Sequence, residues 1–396
     1  MTNFDVLKSR QVALLILISS LLLLALSNEV KANEVVNARD FGVTAGVEES
    51  QTDALHAAMK YFYDRGVEGT VYIPAGTYSF DEVIRFHSDV NLIGDGIGKT
   101  ILKKVGTSPN YVVGNPLISS NSNELNVNVS DLTIDADRTS REARGLGLVG
   151  GINIDSDVSN LTLERVEIRD ATIGALLRRL KNSLIKESIF DNTSGHAIAF
   201  GSENHAVGDV RHNVITNNRI TNSSGGSGIN LSRATYSTVT YNQIINKSQQ
   251  ADSYGGIRIP NGGEYNIVEN NLIENYPRGI FVLTGAQYNE ISNNTVRDSR
   301  IHGILVQANN NTFRENIIQQ LDSSLAPESI IRLAPGSHND IIGNEIETYN
   351  GFSNIGIRLT GSSNNNDILH NIIDTDGTLV SIEGGSGNVT EGNVRK

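Results

Sequence analysis

Counted from the glycine, or its replacement, that opens each of a series of short alternating segments, position +2 holds Leu176, Ala199, Asn230, Arg258, Phe281, Leu305, Arg332 and Arg358. Position +4 holds Arg178, Ser232, Gln307 and Glu383 among smaller or apolar residues. Positions +1 and +3 are apolar, so in an extended chain with a two-residue side-chain period the +2 and +4 columns share the opposite, outward face. That face is rich in guanidinium and poor in carboxylate. Charge of that sign along a groove attracts an anionic chain such as a polyuronate. Hydrolysis of a glycosidic bond calls for two flanking carboxyl groups, and the columns offer Glu383 alone. β-Elimination calls for other parts: a cation that neutralises the uronate carboxylate and acidifies the neighbouring C–H, a base for that proton, and an acid for the leaving oxygen. Arg178 and Arg258 suit the first role.

These columns need a scaffold that repeats. From about residue 185 an Asn-led unit recurs as Asn218-Arg219-Ile220, Asn242-Gln243-Ile244, Asn271-Leu272-Ile273, Asn294-Thr295-Val296, Asn316-Ile317-Ile318, Asn344-Glu345-Ile346 and Asn371-Ile372-Ile373, with starts about 22 to 29 residues apart. Between these units stand glycine-led strands such as Gly228-Ile229-Asn230-Leu231, Gly256-Ile257-Arg258-Ile259, Gly279-Ile280-Phe281-Val282 and Gly303-Ile304-Leu305-Val306. Strands this short at this period, with no amphipathic helices between them, fit the coils of a parallel β-helix, each closing its hydrogen bonds on its neighbours. Asn suits the left-handed backbone of a coil corner, and its amide can stack in a ladder with the Asn one coil away. Ahead of the repeat, Ser50 and Asp53 can cap a helix through Ala54, Leu55, Ala58, Met59 and Phe62 that ends near Gly66 and covers the end of the solenoid.

Composition narrows the functions further. The 396 residues carry 32 Lys+Arg against 44 Asp+Glu, a formal charge of −12 that opposes nucleic acid and anionic membranes as partners. With no Cys there is no thiolate nucleophile, disulfide or Cys-based zinc site, so His and carboxylates are the ligands left for a metal. Lys8 and Arg10 precede an apolar run from Val12 to Leu26, and Val30-Lys31-Ala32 places small residues at −3 and −1 of a cleavage site. The run falls short of the roughly 20 residues that span a bilayer. Residues 1–32 are therefore expected to be a signal peptide, leaving a secreted protein with no integral membrane association. Residues 33–115 are expected to form the cap and first coils, and 116–396 the β-helix repeats. The oligomeric state is left open.

Val36-Asn37-Ala38-Arg39-Asp40-Phe41-Gly42, then Gly69-Thr70-Val71-Tyr72-Ile73-Pro74-Ala75-Gly76-Thr77-Tyr78 and Leu92-Ile93-Gly94-Asp95-Gly96, resemble in order and spacing the opening of the pectate-lyase superfamily, in the branch with rhamnogalacturonase-like and epimerase-like β-helices. Ser130-Asp131-Leu132-Thr133-Ile134-Asp135 and Asn160 to Arg169 look like mannuronan C5-epimerase modules. The resemblance implies an all-β, right-handed, single-stranded parallel β-helix with an N-terminal capping α-helix, acting on an acidic polysaccharide. It does not carry the epimerase site across, because the family's Tyr-Gly-Phe-Asp-Pro-His signature is replaced by Ile173-Gly174-Ala175-Leu176-Leu177-Arg178.

The family's signature Tyr also implies that the residue before the glycine reaches the groove, which adds His196, Arg278 and His302. Five Arg and two His then face a single carboxylate. For elimination, Arg178, Arg258 and Arg278 can neutralise, His196 or His302 can act as base, and Tyr254 can protonate the leaving group; Asn230, Ser232, Gln307, Arg332 and Arg358 are left to bind substrate. Lyases of this superfamily often use Ca²⁺, and Asp135-Ala136-Asp137 and Asp155-Ser156-Asp157 offer alternating carboxylates that such an ion accepts, though turn formation explains them equally well. Two alternatives stand beside elimination. One is a rhamnogalacturonase-like glycoside hydrolase that recruits Asp170, Asp191, Asp252 or Glu264 from loops, and the other is a surface protein that binds glycan without turnover.

Overall fold

The computed structural model describes residues 34–118, 124–201, 204–247, 254–283 and 285–396. The expected signal peptide and Asp252 lie outside them. The described chain is a parallel β-helix, as the repeat implied. One coil shows the pattern: Arg278–Val282 opens it, Glu290–Ser292 and Thr295–Arg297 follow, and the next coil opens at His302–Val306. Each strand pairs in parallel with its counterpart one coil on. The opening strands form one twelve-stranded sheet from Ile84–His87 to Val380–Ile382. Their inward residues, among them Ile257, Ile259, Ile280, Val282, Ile304 and Val306, are fully buried.

The two sequence repeats interlock inside each coil. A Cβ on Gly256 would lie 2.3 Å from Ile273 Cγ2, and one on Gly279 would lie 2.2 Å from Val296 Cγ1. Ile273 and Val296 end the Asn-led units of those same coils. The glycine thus leaves open the corner that the third strand's apolar side chain fills, and the coil closes without a void.

The two tasks expected of Asn fall to different, adjacent residues. Asn293 takes the left-handed conformation at φ 54°. Asn294 beside it is buried: its Nδ2 donates to Asn316 Oδ1 at 3.0 Å and to the carbonyls of Val268 and Ser292, while its Oδ1 accepts from the Asn271 amide at 3.1 Å. The same ladder runs from Asn218 through Asn242, Asn271, Asn294, Asn316, Asn344 and Asn371 to Asn393. A parallel ladder runs from Asn266 to Asn388. Each step satisfies corner carbonyls and amides that the strands leave unpaired.

The expected N-terminal helix spans Thr52–Tyr63, with Leu55, Ala58, Met59 and Phe62 fully buried against the first coils. Ser50 does not cap it. Its Oγ meets Thr52 Oγ1 and accepts from the Asp81 amide, so the side chain ties the helix entry to the strand below; Asp53 sits in the first turn, where the helix dipole favours it. At the other end, Thr390 and Arg395 stand in register with Ile368 and Ile373 of the preceding coil, which places polar side chains at core positions. Among the described residues no helix is long and apolar enough to cross a membrane.

Candidate functional site

The +2 column is a true register line of the opening sheet. Asn153, Leu176, Ala199, Asn230, Arg258, Phe281, Leu305, Arg332, Arg358 and Ser381 pair in succession from coil to coil. Parallel strands lie about 4.8 Å apart, so neighbours in this line are in contact range. Leu176, Ala199, Phe281 and Leu305 are at most 9% exposed and make an apolar floor. Ser232 is buried at the edge of the sheet, its Oγ accepting from Asn261 Nδ2 at 3.0 Å, and Gln307 is half-buried just past the strand His302–Val306.

The middle of the line gathers four of the residues expected to act together. The Arg258 guanidinium lies 5.6 Å from the Tyr254 ring centre and 6.0 Å from that of Phe281, and its Nη1 donates to Asn230 Oδ1 at 3.4 Å. Arg278 lies 4.9 Å from the Phe281 ring centre. The His196 ring packs edge-on against Tyr254 at 5.1 Å. Aromatic faces hold a guanidinium in place.

The two histidines are held in opposite senses. His196 Nδ1 accepts the Ser227 amide hydrogen at 2.8 Å, so the neutral ring carries its proton on Nε2. His302 Nδ1 lies 2.9 Å from the Ser329 carbonyl, an acceptor only, so that nitrogen carries the proton and Nε2 keeps the lone pair. Burial pushes both rings down to about 4, helped at His196 by Arg258 and at His302 by Arg332 and Arg278. Both are neutral at pH 7. The tautomer at His196 makes Nε2 a hydrogen-bond donor and is unsuited to the base role the sequence suggested for it, whereas the tautomer at His302 is competent.

Both ends of the column carry carboxylates that the periodic reading did not place there. Arg178 Nη1 donates to Asn153 Oδ1 at 3.0 Å and to Asp155 Oδ2 at 3.3 Å, and Asp155 also faces His205 Nε2 at 3.0 Å. Arg358 is gripped by Glu383, with Nη2 to Oε2 at 2.7 Å, and by Glu328 at 2.8 Å; Glu328 also lies 3.6 Å from Arg332. The expected excess of cation over carboxylate is therefore not found at either end of the groove. His205 and Glu328 sit on connections between strands, where period two does not reach. Arg358 holds the Glu383 carboxyl below its usual range, which is the wrong direction for the proton-donating acid of a hydrolase. Asp170, Asp191 and Glu264 engage Thr139, Thr221 and Gln287 away from the opening sheet and do not converge on it.

The four aspartates considered for Ca²⁺ are each committed to a base. Asp135 pairs with Arg169 at 3.0 Å, Asp137 with Arg144 at 3.0 Å and Lys103 at 3.2 Å, Asp155 with Arg178, and Asp157 with Lys181 at 2.5 Å. Among the described residues no three His, Asp or Glu side chains group as a metal site. A hard cation needs several carboxylate oxygens at once, and this donor set does not fit one.

Known proteins share this architecture. The chain is 34% identical over 145 residues to mannuronan C5-epimerase AlgE1 of Azotobacter vinelandii, a stretch covering 34% of this chain and 10% of that protein. It is 28% identical over 216 residues to alginate lyase 7 of the same organism, covering 51% of this chain and 24% of that protein. The chain thus spans a quarter or less of the length of these two curated relatives. The solved A-module of mannuronan C-5 epimerase AlgE4 from Azotobacter vinelandii matches with a TM-score of 0.71 at 18% identity, over 90% of this chain and all of that one, a likeness of fold. The description "right handed beta helix region" fits residues 207–347 and 256–395. Residues 35–258, more than half of the chain, match the family described as rhamnogalacturonase A/epimerase, pectate lyase-like, and the chain belongs to that family.

Proposed function

We propose that this chain is an exported enzyme that binds a uronate-containing polysaccharide along the opening sheet and cleaves it by β-elimination. The observation that carries the proposal is the pair Arg258 and Arg278, held against Tyr254 and Phe281 over an apolar floor. A flat apolar floor suits the face of a sugar ring, and guanidinium groups pair with carboxylates in a bidentate manner. Neutralising the carboxylate at C5 makes the C5 proton removable, and among the described residues no pair of free carboxyl groups on this sheet favours hydrolysis. The relatives' names, an alginate lyase and mannuronan epimerases, support a polyuronate as the substrate class. The apolar run Val12–Leu26 supports export.

The test uses purified mature protein with polygalacturonate, alginate, glucuronan and hyaluronan, with absorbance followed near 232 nm, where an unsaturated uronate absorbs. A rise with one substrate that Arg258→Ala abolishes is the expected result. No rise and no new reducing ends, with saturable binding to one of the glycans, would replace the lyase by a glycan-binding β-helix.

A further inference from the structure

The −1 edge of the opening sheet carries a pocket of about 370 Å³, lined by Arg300, His302, Ala326, Pro327, Glu328 and Arg332. That volume falls within the range of small-ligand sites, on the order of 300–1,000 Å³. His302 is 3% exposed and its Nδ1 is spent on the Ser329 carbonyl, so the ring nitrogen left for a ligand is the unprotonated Nε2. Arg278 stands in register with His302 one coil before, and Arg332 lines the pocket one coil after, 3.6 Å from the Glu328 carboxylate that shares the lining.

We infer that this pocket, four coils beyond His196, is the reacting subsite: it takes one uronate residue of the chain, with His302 Nε2 as the base and the flanking arginines on the carboxylate. The inference rests on the elimination proposed above and locates it. His302 Nε2 takes the C5 proton; the C5–H electron pair becomes the C4=C5 double bond; the C4–O4 bond breaks with its pair on O4, which takes a proton from water. The imidazolium returns its proton to solvent, and no oxidant or reductant is involved. His196, a donor at Nε2, binds the chain upstream instead.

His302→Asn separates this role from a structural one, because Asn Nδ2 can replace Nδ1–H toward Ser329 while nothing replaces Nε2. The substrate that responds in the panel above is used, with kcat, KM and the melting temperature measured together. The expected result is a loss of kcat of about 100-fold or more with KM within about threefold and melting close to wild type. Turnover by His302→Asn within about threefold of wild type overturns the assignment. A second readout is independent of turnover: saturated oligouronates from the same panel are titrated against the imidazole ¹⁵N resonances, the His302 signals being identified by their loss in His302→Asn. Movement of those signals supports the subsite, and their indifference to a bound oligouronate overturns it. If they move while wild type gives no 232 nm product, the elimination chemistry fails and the uronate site stands.

Discussion

The ring of His196 accepts the Ser227 amide hydrogen across one coil boundary, at 2.8 Å. The contact fixes the tautomer, and it also satisfies an amide on the opening sheet. Replacement by Ala leaves that amide without its acceptor, at a cost of about 1–3 kcal/mol. His196→Asn keeps an oxygen near the Nδ1 position and is expected to regain most of the loss. Urea unfolding of the two variants decides the point, and equal loss in both would show that the Ser227 contact contributes nothing.

Gly279 and Val296 are expected to be energetically coupled. Gly279→Ala drives a methyl into Val296 Cγ1, an overpacking that costs about 1–3 kcal/mol. Val296→Ala leaves a small cavity, with a cost of about 1–3 kcal/mol. In the double variant the methyl's clash with Val296 is gone and its 2.6 Å approach to the Gly303 carbonyl remains, so the two losses should sum to more than the measured one. Strict additivity in a double-mutant cycle would dissolve the link between the two repeats.

Neighbouring asparagines should respond unequally. Asn294→Ala strips the Asn271 amide and the Val268 and Ser292 carbonyls of partners in a buried corner, and a loss of about 2–4 kcal/mol is expected. Asn293→Ala, exposed at φ 54°, costs about 1 kcal/mol, and Asn293→Gly costs less than Ala. Similar effects at both positions would count against the division between turn and ladder.

The coils and the outward column were legible because each rests on local period: a glycine marks the origin, alternation marks the face, and the register then follows. Leu176 to Arg358 line up in the order the spacing gave. What was not legible depends on atoms one coil away. Whether a histidine meets an amide, as His196 does, or a carbonyl, as His302 does, is set by how the next coil is offset, and the offsets are 31 and 27 residues here. His205 and Glu328 reach Asp155 and Arg358 from connections of irregular length, which no periodic column contains. The aspartates read as cation ligands were equally well placed to meet Arg169, Arg144 and Lys181, and sequence spacing does not separate the two.

Calcium should therefore leave the protein unchanged. Binding to the folded state alone raises the melting temperature with ligand concentration. Because Asp135, Asp137, Asp155 and Asp157 are neutralised by bases, the melting temperature in about 2 mM Ca²⁺ is expected within about 1 °C of that in EDTA. A rise of several degrees, lost on Asp135→Ala or Asp155→Ala, would restore a site there.

Acid should destabilise the fold through buried neutral histidines. His87 and His302 are 0% and 3% exposed, and burial pushes each down to about 4 from an unfolded value of 6.5. Above pH 6.5 both states are neutral and neither group contributes a pH dependence. Between 6.5 and 4 the unfolded chain binds the protons that the folded one refuses, so stability falls as pH falls, and below 4 the loss levels off. At pH 5 the loss is on the order of 2 kcal/mol for each histidine. His302→Asn removes one of these groups while keeping the donor to Ser329, and its unfolding free energy should fall less than that of wild type between pH 7 and 5. Equal slopes for the two proteins would mean that His302 takes up its proton in the folded state as readily as in the unfolded one, so that burial does not hold its ring neutral.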